Sequence, residues 1–210
     1  MNPRTTLTMA NGRGIDLLNP RAEDIDFAVI AEHLSKANRY CGATPDVSYS
    51  VAEHSVRCAD AAFAYGCDPE DVAYCLCHDM HEAFLGDDTT PKKKALESIA
   101  RSFGVLAGTI EEAFGQLTDN LDAAIHEAAG LAWPPPARAQ GIVKMVDRWL
   151  LATEWRDLMK CEAPYDFETR PLPDRIVPRG SYGARIDFLM QCYRLLPGYA
   201  DTARKSKGRG

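Results

Sequence analysis

Two helix starts are marked so clearly in the sequence that they restrict the chain to a helical fold class. The segment Ser50-Val-Ala-Glu53 has the Ser-x-x-Glu form of a capping box and predicts a helix over residues 50–65. Asp68 followed by Pro69, with acidic residues in the next turn, predicts a second helix over residues 68–86. Few segments alternate between apolar and polar residues with the period of two that a half-buried strand shows. We therefore predict an all-α fold, a compact helical bundle.

The rest of the chain predicts further helices joined by irregular segments. Residues 11–20 are turn-rich and compatible with a short strand or hairpin. Apolar residues at helical spacing and the positions of Gly and Pro delimit the remaining elements. We expect helices over residues 24–37, 95–116, 119–131, 137–160 and 181–196, and loops over residues 87–94 and 161–180.

Composition limits the kinds of protein that the chain can be. The sequence has 210 residues, of which 46% are hydrophobic and 26% charged, as in an ordinary globular protein. We expect one domain over residues 1–200, followed by a disordered basic tail over residues 201–210. The net charge of −6 argues against a broad nucleic-acid surface, because nucleic-acid binding depends on Lys and Arg.

The sequence predicts a cytoplasmic protein that does not bind membranes. No stretch approaches the roughly 18 apolar residues of a spanning helix, and the N-terminus lacks the hydrophobic core of a signal peptide. The seven cysteines contain no Cys-x-x-Cys pair, so we expect free thiols rather than a disulfide framework.

Four polar residues interrupt apolar helices in a way that requires an explanation. His54, the adjacent pair His78-Asp79, and Asp147 lie on three separate predicted helices. A lone polar group on an apolar helix face is costly to bury, and a shared cation would satisfy all four. Adjacent residues in an α-helix lie about 100° apart, so His78 and Asp79 can share a metal only if it sits over the ridge between them.

Two imidazoles and two carboxylates suit one divalent metal ion, and an octahedral ion would keep two positions for water and a phosphate oxygen. The candidates are Mn, Co, Fe, Ni, Zn and Mg, and the sequence does not choose among them. The alternative is that His54 and His78 are ordinary buried helix histidines and that Asp147 pairs with Arg148 or Arg156.

The order His54, His78-Asp79, Asp147 resembles the HD superfamily of metal-dependent phosphohydrolases. The likeness extends over most of residues 15–160, and within the superfamily the chain most resembles bacterial 5′-deoxynucleotidases and phage-type dATP triphosphohydrolases. The resemblance implies a compact, all-helical homo-oligomer that hydrolyses deoxynucleoside mono- or triphosphates. It identifies His54, His78, Asp79 and Asp147 as the metal ligands.

The resemblance also implies roles for residues around the metal. Arg39 and Lys93 would contact the substrate phosphate, Glu82 would hold or activate water, and Asp87 would take part in proton transfer. Tyr40 either stacks on a base or sugar or packs as an ordinary aromatic side chain.

Two other functions stay open on the sequence. The same pocket would serve a catalytically silent nucleotide sensor, and the same ligands would serve a phosphodiesterase of cyclic nucleotides or nucleic-acid ends. Only assays across substrates separate these from a nucleotide phosphohydrolase.

Overall fold

The protein folds as a helical bundle with one small hairpin. The computed structural model describes residues 4–163 and 166–200. Over these residues the predicted all-α fold class is confirmed. The described part contains strands β1 (Thr6–Thr8) and β2 (Gly14–Asp16) and helices α1 (Phe27–Leu34), α2 (Val51–Tyr65), α3 (Pro69–Cys77), α4 (Glu82–Leu85), α5 (Thr90–Ser102), α6 (Thr109–Ala129), α7 (Ala137–Leu158) and α8 (Gly180–Leu195).

The N-terminal segment forms the expected hairpin, and the first helix is shorter than expected. Strands β1 and β2 pair antiparallel, with Leu7 opposite Ile15. The helix predicted over residues 24–37 begins only at Phe27, because the Asp26 side chain accepts hydrogen bonds from the backbone N–H groups of Ala28 and Val29. Residues 22–24 form a separate 3-10 turn before it.

Helix α2 lies at the centre of the bundle and contacts α3, α7 and α8. Its start is the predicted one, since the Ser50 hydroxyl accepts a hydrogen bond from the Glu53 backbone N–H at 3.2 Å. Fully buried residues of α2 and α3, including Ala52, Ala59 and Leu76, belong to one core cluster. The packing therefore brings the three helical segments that carry His54, His78 and Asp147 against one another.

The helix predicted over residues 68–86 is wrong, because it is interrupted by a tight turn. Helix α3 ends at Cys77, and residues 78–81 form the turn before α4. Hydrogen bonds from Met80 N–H to the Cys77 carbonyl and from Glu82 N–H to the Asp79 carbonyl span three residues instead of four. Because of this tightening, the side chains of His78 and Asp79 point in directions that differ from those in a regular α-helix.

Residues 90–129 form a helical hairpin, which corrects the prediction for this region. The loop expected over residues 87–94 ends early, because Thr90-Pro91 starts α5 with Pro in the first turn. Gly104 and Gly108 have φ of 84° and 87°, and the turn between them separates α5 from α6, where the prediction had continuous helix to residue 116. No residue from 91 to 120 is buried, so this part of the hairpin projects from the bundle, whereas Leu121 and Ile125 at the end of α6 are buried in the core.

The C-terminal part follows the prediction closely. Helix α7 ends at Leu158 instead of residue 160, and α8 begins at Gly180. The tail expected over residues 201–210 lies outside the described residues. Among the helices that the structure describes, none has the length and apolar composition needed to cross a bilayer.

Candidate metal centre

The two predicted histidines face each other across the junction of α2 and α3. His54 lies in the first turn of α2, His78 lies at the C-terminal end of α3, and their Nε2 atoms are 3.3 Å apart. Each Nδ1 atom faces an acceptor: Glu154 Oε1 at 2.6 Å from His54 and the Cys75 carbonyl at 2.8 Å from His78. The Nδ1 atoms are therefore the donors, and in the neutral rings both Nε2 lone pairs point at the same space.

The two predicted carboxylates complete this cluster. Asp79 Oδ2 lies 3.1 Å from His78 Nε2 and 3.6 Å from His54 Nε2, and Asp147 Oδ1 lies 3.3 Å from His54 Nε2. The turn at residues 78–81 explains why adjacent His78 and Asp79 reach one point. Ligands about 2.1 Å from a metal lie about 3.0 Å apart at right angles, so the observed separations fit a shared ion.

The electrostatics of the cluster favour a positive charge between the four side chains. Burial opposes ionisation of Asp79, but the charges of His78, His54 and Arg39 outweigh it and hold its pKa well below the usual value. Burial likewise opposes ionisation of Asp147, yet its hydrogen bond with His54 lowers the pKa. Burial lowers the pKa of His78, but the Asp79 carboxylate outweighs burial and raises the pKa to about 9. The carboxylates are thus ionised and attract cations or protons.

Arg148 and Arg156 are not the partners of Asp147 in this arrangement. Asp147 contacts His54, and the Arg156 guanidinium binds the carboxylate of Asp157 at 2.7 Å. Arg148 is exposed on α7. The alternative that Asp147 pairs with Arg148 or Arg156 is therefore not what the structure shows.

Glu154, which sequence reasoning missed, is the centre of a buried network behind the histidines. Besides His54, its carboxylate accepts hydrogen bonds from Arg39 Nε at 3.1 Å and from the Tyr40 hydroxyl at 2.6 Å. Burial raises its pKa, but the charges of Arg39 and His54 and these hydrogen bonds outweigh burial and lower it to about 2. Glu154 follows Asp147 by seven residues and so shares its helix face, which is the signal that the sequence offered.

The backbone that presents Arg39 and Tyr40 is strained. Tyr40 and Cys41 have φ of 58° and 52°, a left-handed conformation that is uncommon for residues other than glycine. The segment is held by the hydrogen bond from Tyr40 to Glu154 and by that from Arg39 N–H to the Tyr49 carbonyl. Such strain persists only where the surroundings enforce it, and it clusters at functional sites.

Glu82 and Asp87 lie beside the cluster with perturbed ionisation. Burial, together with the charges of Asp79 and Asp87, raises the pKa of Glu82 to about 9. Its Oε2 atom is buried and has no hydrogen-bond partner among the described residues, which is unusual for a buried polar atom. Burial also raises the pKa of Asp87. A polar partner such as water would satisfy Glu82 at this position.

A cavity of about 620 Å³ opens next to Asp147, whose side chain is 42% exposed. We call it the Arg39 cavity. Lys93 is not among its lining residues, and its ammonium lies 6.0 Å from the centre of the Phe114 ring on the projecting hairpin. The structure therefore brings every predicted site residue except Lys93 to one place. The cavity is lined by Arg39, Tyr40, Asp87, Asp88, Thr89, Thr90, Pro91, Asp147, Leu151, Trp155 and Met159.

Two groups of side chains in the described residues have the composition and spacing to hold a metal ion. One is His54, Cys58 and His78, and the other is Asp79, His81 and Glu82. Cys58 was not predicted, although it lies one turn beyond His54, and its Sγ atom is 3.5 Å from His54 Nε2. Burial raises the pKa of this thiol well above its usual value, which disfavours the thiolate that binds metals. His81 instead contacts Asp122 at 3.0 Å.

Comparison with known proteins finds one similar protein but assigns the chain to no family. No protein-family model matches the chain. An uncharacterized protein of Rhodobacter capsulatus, RCAP_rcc00048, is 35% identical over 143 residues, which are 66% of this chain and 65% of the relative. The match therefore spans less than two thirds of the relative's length, and the geometry of the site carries the functional argument.

Proposed function

We propose that the chain is a metal-dependent phosphohydrolase of deoxynucleotides in which His54, His78, Asp79 and Asp147 bind one divalent ion. The observation that carries this proposal is that His78, Asp79 and Asp147 each place a donor atom 3.3–3.6 Å from His54 Nε2, and that His78 and Asp79 are 3.1 Å apart. Both Nδ1 atoms face other acceptors. A metal-binding histidine typically donates its second N–H to a carboxylate or a backbone carbonyl. Glu154 and the Cys75 carbonyl supply these two acceptors.

The bound ion would supply Lewis acidity toward a phosphoryl oxygen and lower the pKa of a water molecule. The buried Glu82 Oε2 atom, which has no partner among the described residues, can hold the attacking water. A cation at the centre would offset the negative charge of Asp79 that helps to raise the pKa of Glu82, so that the Glu82 carboxylate could also accept the proton of that water. As the water oxygen bonds to phosphorus, the bond from phosphorus to the leaving oxygen breaks. Asp87, whose pKa is raised, can protonate that leaving oxygen, so that one water is consumed for each ester cleaved.

Arg39 has the charge and position for substrate binding. Its Nε is bound to Glu154 and its Nη1 lies 3.5 Å from Asp79 Oδ2, while the residue lines the cavity next to Asp147. The planar guanidinium can bind two phosphate oxygens with its remaining N–H groups. Tyr40 is engaged by Glu154, so its part in substrate binding would be through its ring in the cavity wall.

Replacing Asp147 tests the ligand set. Because Asp147 is partly exposed on α7, Asp147→Ala should fold and lose bound metal together with activity. Bound metal is measured as metal content after loading with Mn²⁺ or Co²⁺. Activity is measured as phosphate release from a panel of deoxynucleoside mono- and triphosphates. Arg148→Ala on the same helix is the control. Retained metal and retained hydrolysis in Asp147→Ala would contradict the assignment.

Replacing Glu82 separates catalysis from metal binding. Glu82→Gln should keep the metal and lower kcat by roughly 100-fold or more, which is the usual contribution of a general base. The exposed Glu112→Gln is the matched control, since Glu112 lies on the projecting hairpin. A wild-type rate in Glu82→Gln would remove Glu82 from the mechanism. The absence of hydrolysis by the wild-type protein with every metal would favour a nucleotide sensor.

Replacing Glu154 tests whether it orients His54. Glu154→Gln keeps the shape of the side chain but weakens the acceptor for the His54 N–H, so metal affinity should fall roughly 10- to 100-fold. Competition with a chelating dye measures the affinity, and circular dichroism checks that the fold is kept. A folded variant with unchanged metal affinity would show that Glu154 has only a structural role.

A further inference from the structure

A second cavity, separate from the Arg39 cavity, adjoins the candidate metal centre. This cavity, which we call the Trp133 cavity, has a volume of about 560 Å³ and is lined in part by His78, Trp133 and Lys144. Its volume lies within the range of about 300–1,000 Å³ that is common for small-molecule sites. Because His78 is one of the proposed metal ligands, a molecule bound here would lie beside the metal.

The two cavities lie along one face of α7. Gln140 and Lys144 line the Trp133 cavity, Asp147 follows, and Leu151 and Trp155 line the Arg39 cavity. These residues are spaced three or four apart, so they share one face of the helix. Asp147 therefore separates the two cavities along α7, and Lys144 is less than one turn from it.

The wall of the Trp133 cavity is aromatic. The Tyr74 and His126 rings are stacked with centroids 5.6 Å apart, and the His126 and Trp133 centroids are 4.9 Å apart. Pro134 and Pro135 extend this wall. His126 is buried behind Trp133, which is itself partly exposed. The cavity thus offers a flat apolar surface that is fixed by the rings behind it.

Two exposed charged side chains in the lining complement this surface, while the third, Asp122, is buried and contacts His81. Asp119 and Lys144 are exposed, and neither forms a hydrogen bond or ion pair with another residue in the described ranges. A carboxylate accepts hydrogen bonds from ring N–H or amino groups, and an ammonium donates to ring nitrogen or carbonyl oxygen. Their combination with an aromatic wall suits a flat heteroaromatic ring that has donors and acceptors on its edge.

We propose that the Trp133 cavity is the nucleobase subsite of this protein, with the base against the Trp133 ring and the phosphate toward Asp147. The placement of the phosphate rests on the proposed function, whereas the binding of the base does not. Stacking on an aromatic side chain is tolerant of base identity, while Asp119 and Lys144 would discriminate among base edges.

The tryptophans make the proposal directly testable. The chain has three tryptophans, and the cavity next to Tyr65 contains Trp149, the Arg39 cavity contains Trp155 and the Trp133 cavity contains Trp133. Protein labelled with ¹⁵N-tryptophan gives one indole N–H signal for each, and single Phe variants assign them. Titration of the metal-free protein with the four deoxynucleosides should shift the Trp133 signal saturably and leave the Trp149 signal in place.

Lys144→Ala tests the role of the cavity lysine in binding, and Arg148→Ala is its matched control. The first should weaken deoxynucleoside binding several-fold, and the second, one turn further along α7 and outside the cavity, should not. A shift of the Trp155 signal in place of Trp133, or no shift at saturating deoxynucleoside, would overturn the subsite. Deoxynucleosides contain no phosphate, so binding at Trp133 without hydrolysis of any nucleotide would reject the proposed function and keep the subsite. Hydrolysis of a nucleotide without a shift of the Trp133 signal would keep the proposed function and reject the subsite.

Discussion

The arrangement of the site depends on one buried carboxylate. Glu154 is inaccessible to solvent, and it joins α7 to His54 of α2 and to the strained segment that carries Arg39 and Tyr40. A buried charge is tolerated only when it is paired and hydrogen-bonded, and removing one partner of such a group typically costs about 3–5 kcal/mol. The same contacts orient the His54 ring and keep Arg39 at the edge of the cavity. Stability and the geometry of the candidate metal centre therefore rest on the same side chain.

Much of the helical bundle could be predicted from local signals. The Ser50 cap, the Asp68-Pro69 start and the long apolar periodicity of α7 each act within a few residues, and the structure confirms them within about two residues at most. The convergence of His54, His78, Asp79 and Asp147 followed from asking why polar residues interrupt apolar faces. The cost of burying a lone polar group does not depend on where each helix ends, so errors in the helix boundaries did not affect this prediction.

One error arises where tertiary contacts override local preference. Nothing within residues 68–86 marks the turn after Cys77, and the chain tightens there because His78 and Asp79 both face the cluster. The projecting hairpin was misjudged for the opposite reason, since its residues make few contacts and local signals at Thr90 and Gly104 decide its ends. Glu154 was missed because its partners are about 100 residues away or more in sequence and no local pattern connects them.

In the proposed centre, one ion is bound by two imidazoles and two carboxylates, and the nearby Cys58 thiol is not a ligand. X-ray absorption spectroscopy of the protein loaded with one equivalent of Zn²⁺ or Co²⁺ tests it directly, because nitrogen and oxygen ligands lie at about 2.0–2.2 Å and sulfur at about 2.3 Å. We expect a first shell of nitrogen and oxygen only, with the multiple scattering of two imidazoles. A sulfur ligand, fewer than two imidazoles, or the absence of stoichiometric metal would contradict this ligand set.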